Sequence, residues 1–216
     1  MKEKVKNCRV LLNVWRMVIP IYVYATDEKF RDQINEDVER LRAGNPSIVP
    51  STWGLQKALV RVPIFRAVFF YRMKKHPILR EMERKLLPVK TPIEISGNIE
   101  GGFTVYHGHS SVIHCENAGK NFSVYQNVTV GRNKEHYSNS GAAKPVIGDN
   151  VSLYPGCVVA GGIVIGNNVE IAANSVVLND VPDNCTVVGN PARIVRIGGK
   201  KVDIALKNYR GGQNIE

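Results

Sequence analysis

Aliphatic residues return at every sixth position through the second half of this chain, and this period constrains the fold more than any other feature. The stretch from Val146 to Val177, VIGDNVSLYPGCVVAGGIVIGNNVEIAANSVV, carries it without interruption. The repeating positions are Ile147, Leu153, Val159, Ile165, Ile171 and Val177. A second set lies four places after each of the first five: Val151, Cys157, Ile163, Val169 and Ser175.

Two inward positions in every six fit neither an α-helix, with its period of about 3.6, nor a flat strand, with its period of about 2. They indicate a triangular solenoid with one hexad on each flat side and three hexads in each coil. Earlier hexads begin at Ile99, Val105, Ala118 and Val124. A one-residue bulge between Ser111 and Asn117 interrupts them. A β-sandwich of short strands is the alternative, and the strict spacing argues against it.

The residues before the hexads have a helical period. Apolar residues at spacings of three and four predict an amphipathic helix: Phe30, Ile34, Val38 and Leu41. Ser51 and Thr52 offer an N-cap for a second helical segment, which Pro63 kinks or splits. We therefore predict a helical N-terminal domain over 1–92, a β-helix domain over 93–196 and a C-terminal tail over 197–216.

The chain is strongly basic, with a formal net charge of +10 over 216 residues. No zinc-finger spacing, RNP-type motif or run of five basic residues is present, so we do not expect a nucleic-acid partner. A basic helical surface is interpreted as solvated; its residues are Lys57, Arg61, Arg66, Arg72, Lys74 and Lys75. Four widely spaced cysteines without a CxxC pair favour a reducing, cytoplasmic setting.

The apolar run VLLNVWRMVIPIYVYA near the N-terminus is interrupted by Arg16, and Pro20 follows within it. It is short for a membrane span and lacks a clear signal-peptide cleavage site. We therefore expect a packed helix rather than a membrane anchor, and no membrane partner.

Three motifs in the hexad region carry a resemblance: YHGHSSVI on an early coil, QNVTVG one coil later, and GNPAR near the end. Together with the interrupting segment from Arg132 to Pro145, the chain resembles the left-handed β-helix acyltransferases, and among these the serine acetyltransferases. The likeness covers about Ile93 to Arg196. It implies a left-handed parallel β-helix behind a helical N-terminal domain, and an O-acetyltransferase that uses acetyl-CoA.

The resemblance implies that His107 is the general base, removing the proton of the acceptor hydroxyl. Imidazole suits this step because it titrates near neutral pH. Glu94 stands where the family has the acidic partner of the histidine, with Glu116 as a weaker candidate. His109 is a further candidate for substrate binding. The histidines near His107 lack an acidic ligand set, so we expect no metal.

The chain departs from the serine acetyltransferases at the acceptor site. Tyr106 stands where that family has an aspartate beside the catalytic histidine. Ala143 and Lys144 stand where it has arginine and histidine, residues that bind the serine carboxylate and assist catalysis. Tyr106 and Lys144 are therefore candidate substrate-binding residues, and His136 is an alternative to Lys144. The resemblance implies that the long polar loop helps to enclose the active site of a neighbouring subunit.

The resemblance also implies the acetyl-CoA site. Arg193 matches the arginine by the nucleotide end, and arginine suits phosphate recognition. Small residues would let the pantetheine arm lie against the backbone. The candidate cofactor-binding residues are Gly131, Tyr154, Ala160, Gly161, Ala172 and Arg193.

Alternatives remain at this point. The acceptor hydroxyl belongs to L-serine or to a sugar, as in surface-glycan synthesis. A non-catalytic β-helix scaffold is a second class. A γ-class carbonic anhydrase would need three histidines on zinc at set spacings, which the sequence does not offer. The family further implies a homotrimer or a dimer of trimers, with sites between neighbouring β-helices.

Overall fold

The computed structural model describes residues 2–133 and 143–206, together with the backbone of 209–210 and 213–214. Residues 134–142, most of the predicted loop and including His136, lie outside the described residues. The chain divides into two compact units. The first comprises Met1–Thr91 with Gly101–Val105, and the second comprises Pro92–Glu100 with Tyr106–Glu216.

The first unit is helical. Its α-helices are α1 (Lys2–Leu11), α2 (Val18–Thr26), α3 (Glu28–Leu41), α4 (Thr52–Arg61), α5 (Phe65–Arg72) and α6 (Pro77–Leu86). Short 3-10 turns cover Val14–Met17 and Met73–Lys75. As predicted, the helical segment splits at Pro63, which lies between α4 and α5.

Side-chain caps fix two of the helix starts. The Asp27 carboxylate accepts a hydrogen bond from the Phe30 amide at 3.0 Å, and the Ser51 hydroxyl accepts one from the Gly54 amide at 3.0 Å. Each cap satisfies an amide that the helix itself leaves unpaired. The predicted apolar stripe of α3 faces the core, where Phe30 meets Phe69 edge-to-face at 5.6 Å.

Arg72 corrects the prediction of a solvated basic helical surface. Its guanidinium is 2% exposed and pairs with the fully buried carboxylate of Asp37, through two hydrogen bonds of 2.9 Å each. The Phe103 amide donates a third hydrogen bond to Asp37, at 2.8 Å. The charge of Arg72 therefore joins α3 to α5 inside the first unit, because a buried carboxylate needs a partner that satisfies it.

Most of the β-strands are short, and they follow the hexads. They are β1 (Ile93–Ile99), β2 (Thr104–Val105), β3 (Ser111–Ala118), β4 (Ser123–Val124), β5 (Thr129–Gly131), β6 (Val146–Ile147), β7 (Ser152–Leu153), β8 (Val158–Ala160), β9 (Val164–Ile165), β10 (Glu170–Ile171), β11 (Val176–Val177), β12 (Cys185–Val188), β13 (Arg193–Ile197), β14 (Lys200–Ala205), β15 (Tyr209–Arg210) and β16 (Gln213–Asn214).

Parallel pairing in the second unit produces three faces. One ladder runs β1–β3–β5–β8–β11, and a second runs β1–β3–β6–β9. The third runs β4–β7–β10–β12. Strand β3 bends round a corner, pairing with β5 at Val112–Ile113 and with β6 at Asn117–Ala118. The register between β1 and β3 shifts by one residue between His114 and Asn117, inside the predicted bulge.

Both predicted sets of repeating residues point into the solenoid. Every member, from Ile147 to Val177 and from Val151 to Ser175, is at most 4% exposed. The hexad period is therefore the period of the core. Strand β13 then pairs antiparallel with β12, and β14 pairs antiparallel with β13, so strand structure continues into the segment predicted as a tail.

Asparagines form a ladder along one corner of the solenoid. Asn121, Asn150, Asn168 and Asn184 all have positive φ, between 55° and 60°. Their side-chain amides donate from each coil to the next at 2.9–3.0 Å. Asparagine tolerates this left-handed conformation better than most residues and can bond to its neighbour on the next coil, which explains its recurrence.

Candidate functional site

His107 lies in an irregular turn of the β-helix. On each later coil, the residue at this corner has a left-handed backbone and comes two positions after an outward tyrosine or alanine. These residues are Asn127 after Tyr125, Gly156 after Tyr154, and Asn174 after Ala172. On the first coil the same corner is held by Ser110, four positions after Tyr106. The turn is thus two residues longer, and His107 occupies the added length.

The backbone of His107 is itself left-handed, with φ of 64°, and Gly108 follows with φ of 65°. The other non-glycine residues with positive φ in the described chain are six asparagines and Ser110. Such a conformation is uncommon for a larger side chain, and it clusters at functional sites when the surroundings impose it. His107 is exposed, so its imidazole is accessible to a substrate.

Three tyrosines stack beside this turn. The ring of Tyr106 lies 4.8 Å from that of Tyr125, and Tyr125 lies 5.2 Å from Tyr154, both in stacked geometry. Burial raises the pKa of the Tyr125 and Tyr154 phenols above the ordinary 10, so both stay neutral. The stack fixes Tyr106 next to His107. The sequence analysis missed Tyr125, although a tyrosine after an inward aliphatic residue recurs in Val105–Tyr106, Val124–Tyr125 and Leu153–Tyr154.

The structure brings Glu94 to His114. The carboxylate of Glu94 lies 3.4 Å from Nε2 of His114. Among the described residues, no carboxylate lies within ion-pair distance of the His107 imidazole. The role of Glu94 behind His107 stays a prediction. His109 is exposed, and its carbonyl accepts a hydrogen bond from the Asn127 amide at 3.0 Å.

Lys144 is the second residue after the undescribed part of the loop. Lys144 is partly exposed. Burial raises the pKa of the Cys115 thiol to about 11, and the nearby positive charge of Lys144 has a smaller, opposite effect on it. Cys115 is therefore a packed thiol rather than a nucleophile. Lys144 remains a candidate for binding an anionic group of the acceptor.

Two of the candidate residues for the pantetheine arm, Gly131 and Ala160, lie side by side on the adjacent strands β5 and β8. Gly131 pairs with Ala160, and the Gly161 amide donates to the Gly131 carbonyl at 3.0 Å. A side chain added at Gly131 would meet no atom of the described residues within 4 Å. Space for a ligand therefore lies against the backbone there. In the next coil, Ala172 occupies the position that corresponds to Tyr154, so it follows the three tyrosines of the stack.

A pocket of about 160 Å³ lies at the last coil. It is lined by Val176, Leu178, Asn179, Asn190, Pro191, Ala192, Arg193, Ala205 and Leu206. The Asn190–Pro191 peptide bond in the GNPAR motif is cis. Arg193 is half exposed, and its guanidinium is hydrogen-bonded to the carboxylate of Asp203 at 2.6 Å. Asp203 therefore orients this arginine at the rim of the pocket and offsets part of its charge.

Metal ligands do not gather in the described chain: residues 2–133 and 143–206 contain no group of three or more histidine, cysteine, aspartate or glutamate side chains that could hold an ion. The four cysteines are free thiols, three of them buried in the β-helix and Cys8 exposed.

The coils and the turn at His107 define a class of protein, and comparison with known proteins gives the same one. Residues 144–179 match the family described as bacterial transferase hexapeptide (six repeats). The chain carries hexapeptide repeats and folds as a left-handed parallel β-helix that follows a helical N-terminal part, as predicted.

Within that class, its relatives are serine acetyltransferases. The chain is 34% identical over 156 residues to the enzyme of Synechococcus elongatus, covering 68% of this chain and 63% of the relative. It is 40% identical over 137 residues to that of Staphylococcus xylosus, covering 61% of each. The resemblance drawn from the motifs is confirmed. The chain spans a little over three-fifths of the length of these curated relatives.

Solved structures agree on the fold. Serine acetyltransferase from Neisseria gonorrhoeae superimposes with a TM-score of 0.61 at 24% identity, over 85% of this chain and 71% of that one. A serine acetyltransferase in complex with CoA gives a TM-score of 0.55 at 23% identity, over 82% of this chain and 74% of that one.

Proposed function

We propose that this protein is an acetyl-CoA-dependent O-acetyltransferase whose acceptor is the hydroxyl of L-serine. The observation that carries the proposal is the turn at His107. One corner of the otherwise regular solenoid is two residues longer than the others, and it holds an exposed histidine in a left-handed conformation. The likeness to serine acetyltransferases supports the acceptor, and the likeness to an enzyme solved with CoA supports the donor.

His107 would act as the general base. Its imidazole takes the proton of the serine hydroxyl as that oxygen attacks the thioester carbonyl of acetyl-CoA. The same proton then passes to the sulfur of the departing CoA, so that O-acetylserine and CoA leave and the imidazole is neutral again. The tyrosine stack holds Tyr106 beside this reaction and bounds the space open to the acceptor.

Acetyl-CoA is proposed to lie along the β-helix from Gly131 and Ala160 towards the pocket at Arg193. The pantetheine arm has backbone amides and small residues on this path. At its end, Arg193 is joined on β13 and β14 by the exposed cations Arg196, Lys200 and Lys201. These charges suit the phosphates of the nucleotide end.

We further propose a closed trimer as the active unit. A flat-sided solenoid offers side surfaces for head-to-tail contacts, and such contacts make rings when the rotation closes. Sedimentation equilibrium tests this, and a monomeric mass with full activity would refute it. The cytoplasmic location stays a prediction.

The assay for the activity is CoA thiol release from acetyl-CoA with L-serine, and with amino and neutral sugars as competing acceptors. His107→Ala is expected to lower kcat by about 10²- to 10⁴-fold and to leave CoA binding in place. His107→Asn is the matched control for the backbone, because asparagine holds the same left-handed conformation at six other positions but cannot accept the proton.

The outcomes separate the hypotheses. Full turnover in His107→Asn would contradict the role of the imidazole. No turnover with any acceptor and no thermal stabilisation by CoA would favour the non-catalytic scaffold. Acetylation of a sugar but not of serine would overturn the acceptor.

A further inference from the structure

The N-terminal helices carry an exposed apolar surface. It consists of Val5, Leu11, Leu12, Val14, Trp15, Val18 and Tyr22, and we refer to it as the N-terminal apolar surface. Leu12 is 76% exposed, Val18 68% and Trp15 60%. The remaining large exposed apolar residues are spread over the rest of the described chain, so these seven are concentrated within 18 residues.

The core of the helical unit does not use these side chains. Other residues of the same segment are buried there instead, with Val10, Met17 and Val23 fully covered. The segment is therefore a packed helical element, as the sequence predicted, in which seven further apolar side chains stay exposed. A concentrated exposed apolar patch of this kind usually marks a surface for a partner or a membrane.

The charge of this segment has one sign. Between Lys4 and Thr26 the sequence has no aspartate or glutamate, and it has four basic residues: Lys4, Lys6, Arg9 and Arg16. Lys6 and Arg9 are exposed. The guanidinium of Arg16 lies over the Trp15 ring, 4.9 Å from its centroid. Basic groups thus lie within the same short segment as the apolar side chains.

This charge pattern disfavours a second copy of the chain as the occupant. A two-fold contact brings the same patch of each copy together. Such a contact would bring a second set of Lys6, Arg9 and Arg16 to this surface, and the segment has no carboxylate to offset their charge. An anionic lipid surface has the opposite charge and also accepts the apolar side chains.

The geometry favours lying on a bilayer over crossing it. No single helix in the described chain is long and apolar enough to span a membrane. The stretches Val5–Leu11 and Val14–Thr26 reach that length and composition only together, and they meet at a bend of 59°. Two short helices that meet at a bend and carry exposed apolar and basic side chains suit the interface plane, where tryptophan and tyrosine are enriched.

We propose that the N-terminal apolar surface docks the protein on an anionic phospholipid bilayer. Leu12, Trp15 and Val18 enter the boundary between headgroups and acyl chains, while Lys6 and Arg9 contact the lipid phosphates. The proposal departs from the expectation of no membrane partner. It is independent of the acetyltransferase proposal, since it uses no residue of that site.

The test uses vesicles of phosphatidylcholine with and without phosphatidylglycerol, and the full chain. The protein has two tryptophans, so a Trp53→Phe background leaves Trp15 as the reporter. We expect a blue shift of its emission, and quenching by lipids brominated in the acyl chain, with the anionic vesicles. Added salt should weaken the binding, because screening shortens the reach of the basic groups.

Two variants separate the contributions. Leu12→Ser/Val18→Ser should abolish binding, whereas Val164→Ser/Ile204→Ser, at exposed positions outside this surface, should leave it intact. Lys6→Gln/Arg9→Gln should weaken binding to anionic vesicles by about 25-fold, at about fivefold for each basic residue. Circular dichroism confirms that the variants fold.

Absence of binding to anionic vesicles would overturn the proposal. Equal binding to pure phosphatidylcholine, insensitive to Lys6→Gln/Arg9→Gln, would overturn the role of charge. A change of oligomeric mass in Leu12→Ser/Val18→Ser, without vesicle binding by the parent chain, would assign the surface to a second copy instead.

Discussion

Glu83 should make the stability of this protein depend on pH. Its side chain in α6 is fully buried, and neither carboxylate oxygen has a hydrogen-bond partner in the described structure. Burial raises its pKa from the ordinary 4.5 to about 7, against the opposing effect of the Arg66 charge. The perturbation is Glu83→Gln, which keeps the shape and removes the ionisation.

The folded state holds the Glu83 proton more tightly than the unfolded chain does. This contribution to stability is fully present below a pH of about 4.5 and is lost as the pH rises through about 7. A change of pKa from 4.5 to about 7 corresponds to ~3 kcal/mol in full. Between about pH 5 and about pH 8, the wild-type protein should therefore lose about 2 to 3 kcal/mol relative to Glu83→Gln.

Urea unfolding followed by tryptophan fluorescence measures this difference at several pH values and one protein concentration. The free energy of unfolding of the variant minus that of the wild type should rise with pH. Glu81→Gln, at an exposed position on the same helix, is the matched control and should show no comparable rise. A Glu83→Gln difference that stays constant from about pH 5 to about pH 8 would refute the reasoning, because only the ionisation depends on pH.

Two further predictions concern stability. Asp37→Ala should lower the free energy of unfolding by about 3 to 5 kcal/mol, since it leaves the buried guanidinium of Arg72 and the Phe103 amide without their acceptor; a loss below about 1 kcal/mol in urea unfolding would show that water or another group replaces the carboxylate. Asn168→Ala should cost about 1 to 3 kcal/mol, because alanine is strained at a φ of 55° and breaks two rungs of the asparagine ladder. Asn168→Gly keeps the backbone free and should cost less in the same measurement, and equal losses would mean that the conformation contributes nothing.

The fold of the β-helix could be predicted from the sequence because its signal is local and repeated. Each coil presents the same positions to the interior, so a period of six in the chain is the period of the core itself. Ile147 through Val177 are buried as their spacing predicts. The start of α4 at Ser51 and the break at Pro63 were predictable for a similar reason, since capping and the missing proline amide act within a few residues.

The site was predictable only in part. The motif pointed to His107, but the longer turn and its left-handed backbone became visible only when the coils were aligned in space. Tyr106 was singled out as a departure from the related enzymes, whereas its stacking on Tyr125 depends on the rise of one coil above another. Glu94 was matched by position along the chain, and the structure places its carboxylate beside His114.

The sequence by itself determined which residues face the solenoid core, that helices precede the hexads, and which class of protein this is, because a short period and local caps depend on residues close together in the chain. Only the tertiary structure decided the environment of each charge. Arg72 was taken for a surface residue and is buried on Asp37, Glu83 is enclosed without a hydrogen bond, and Leu12 and Trp15 are left exposed. These outcomes depend on which helices pack together, so residues distant in the chain set the dielectric, the partners and the exposure of each side chain.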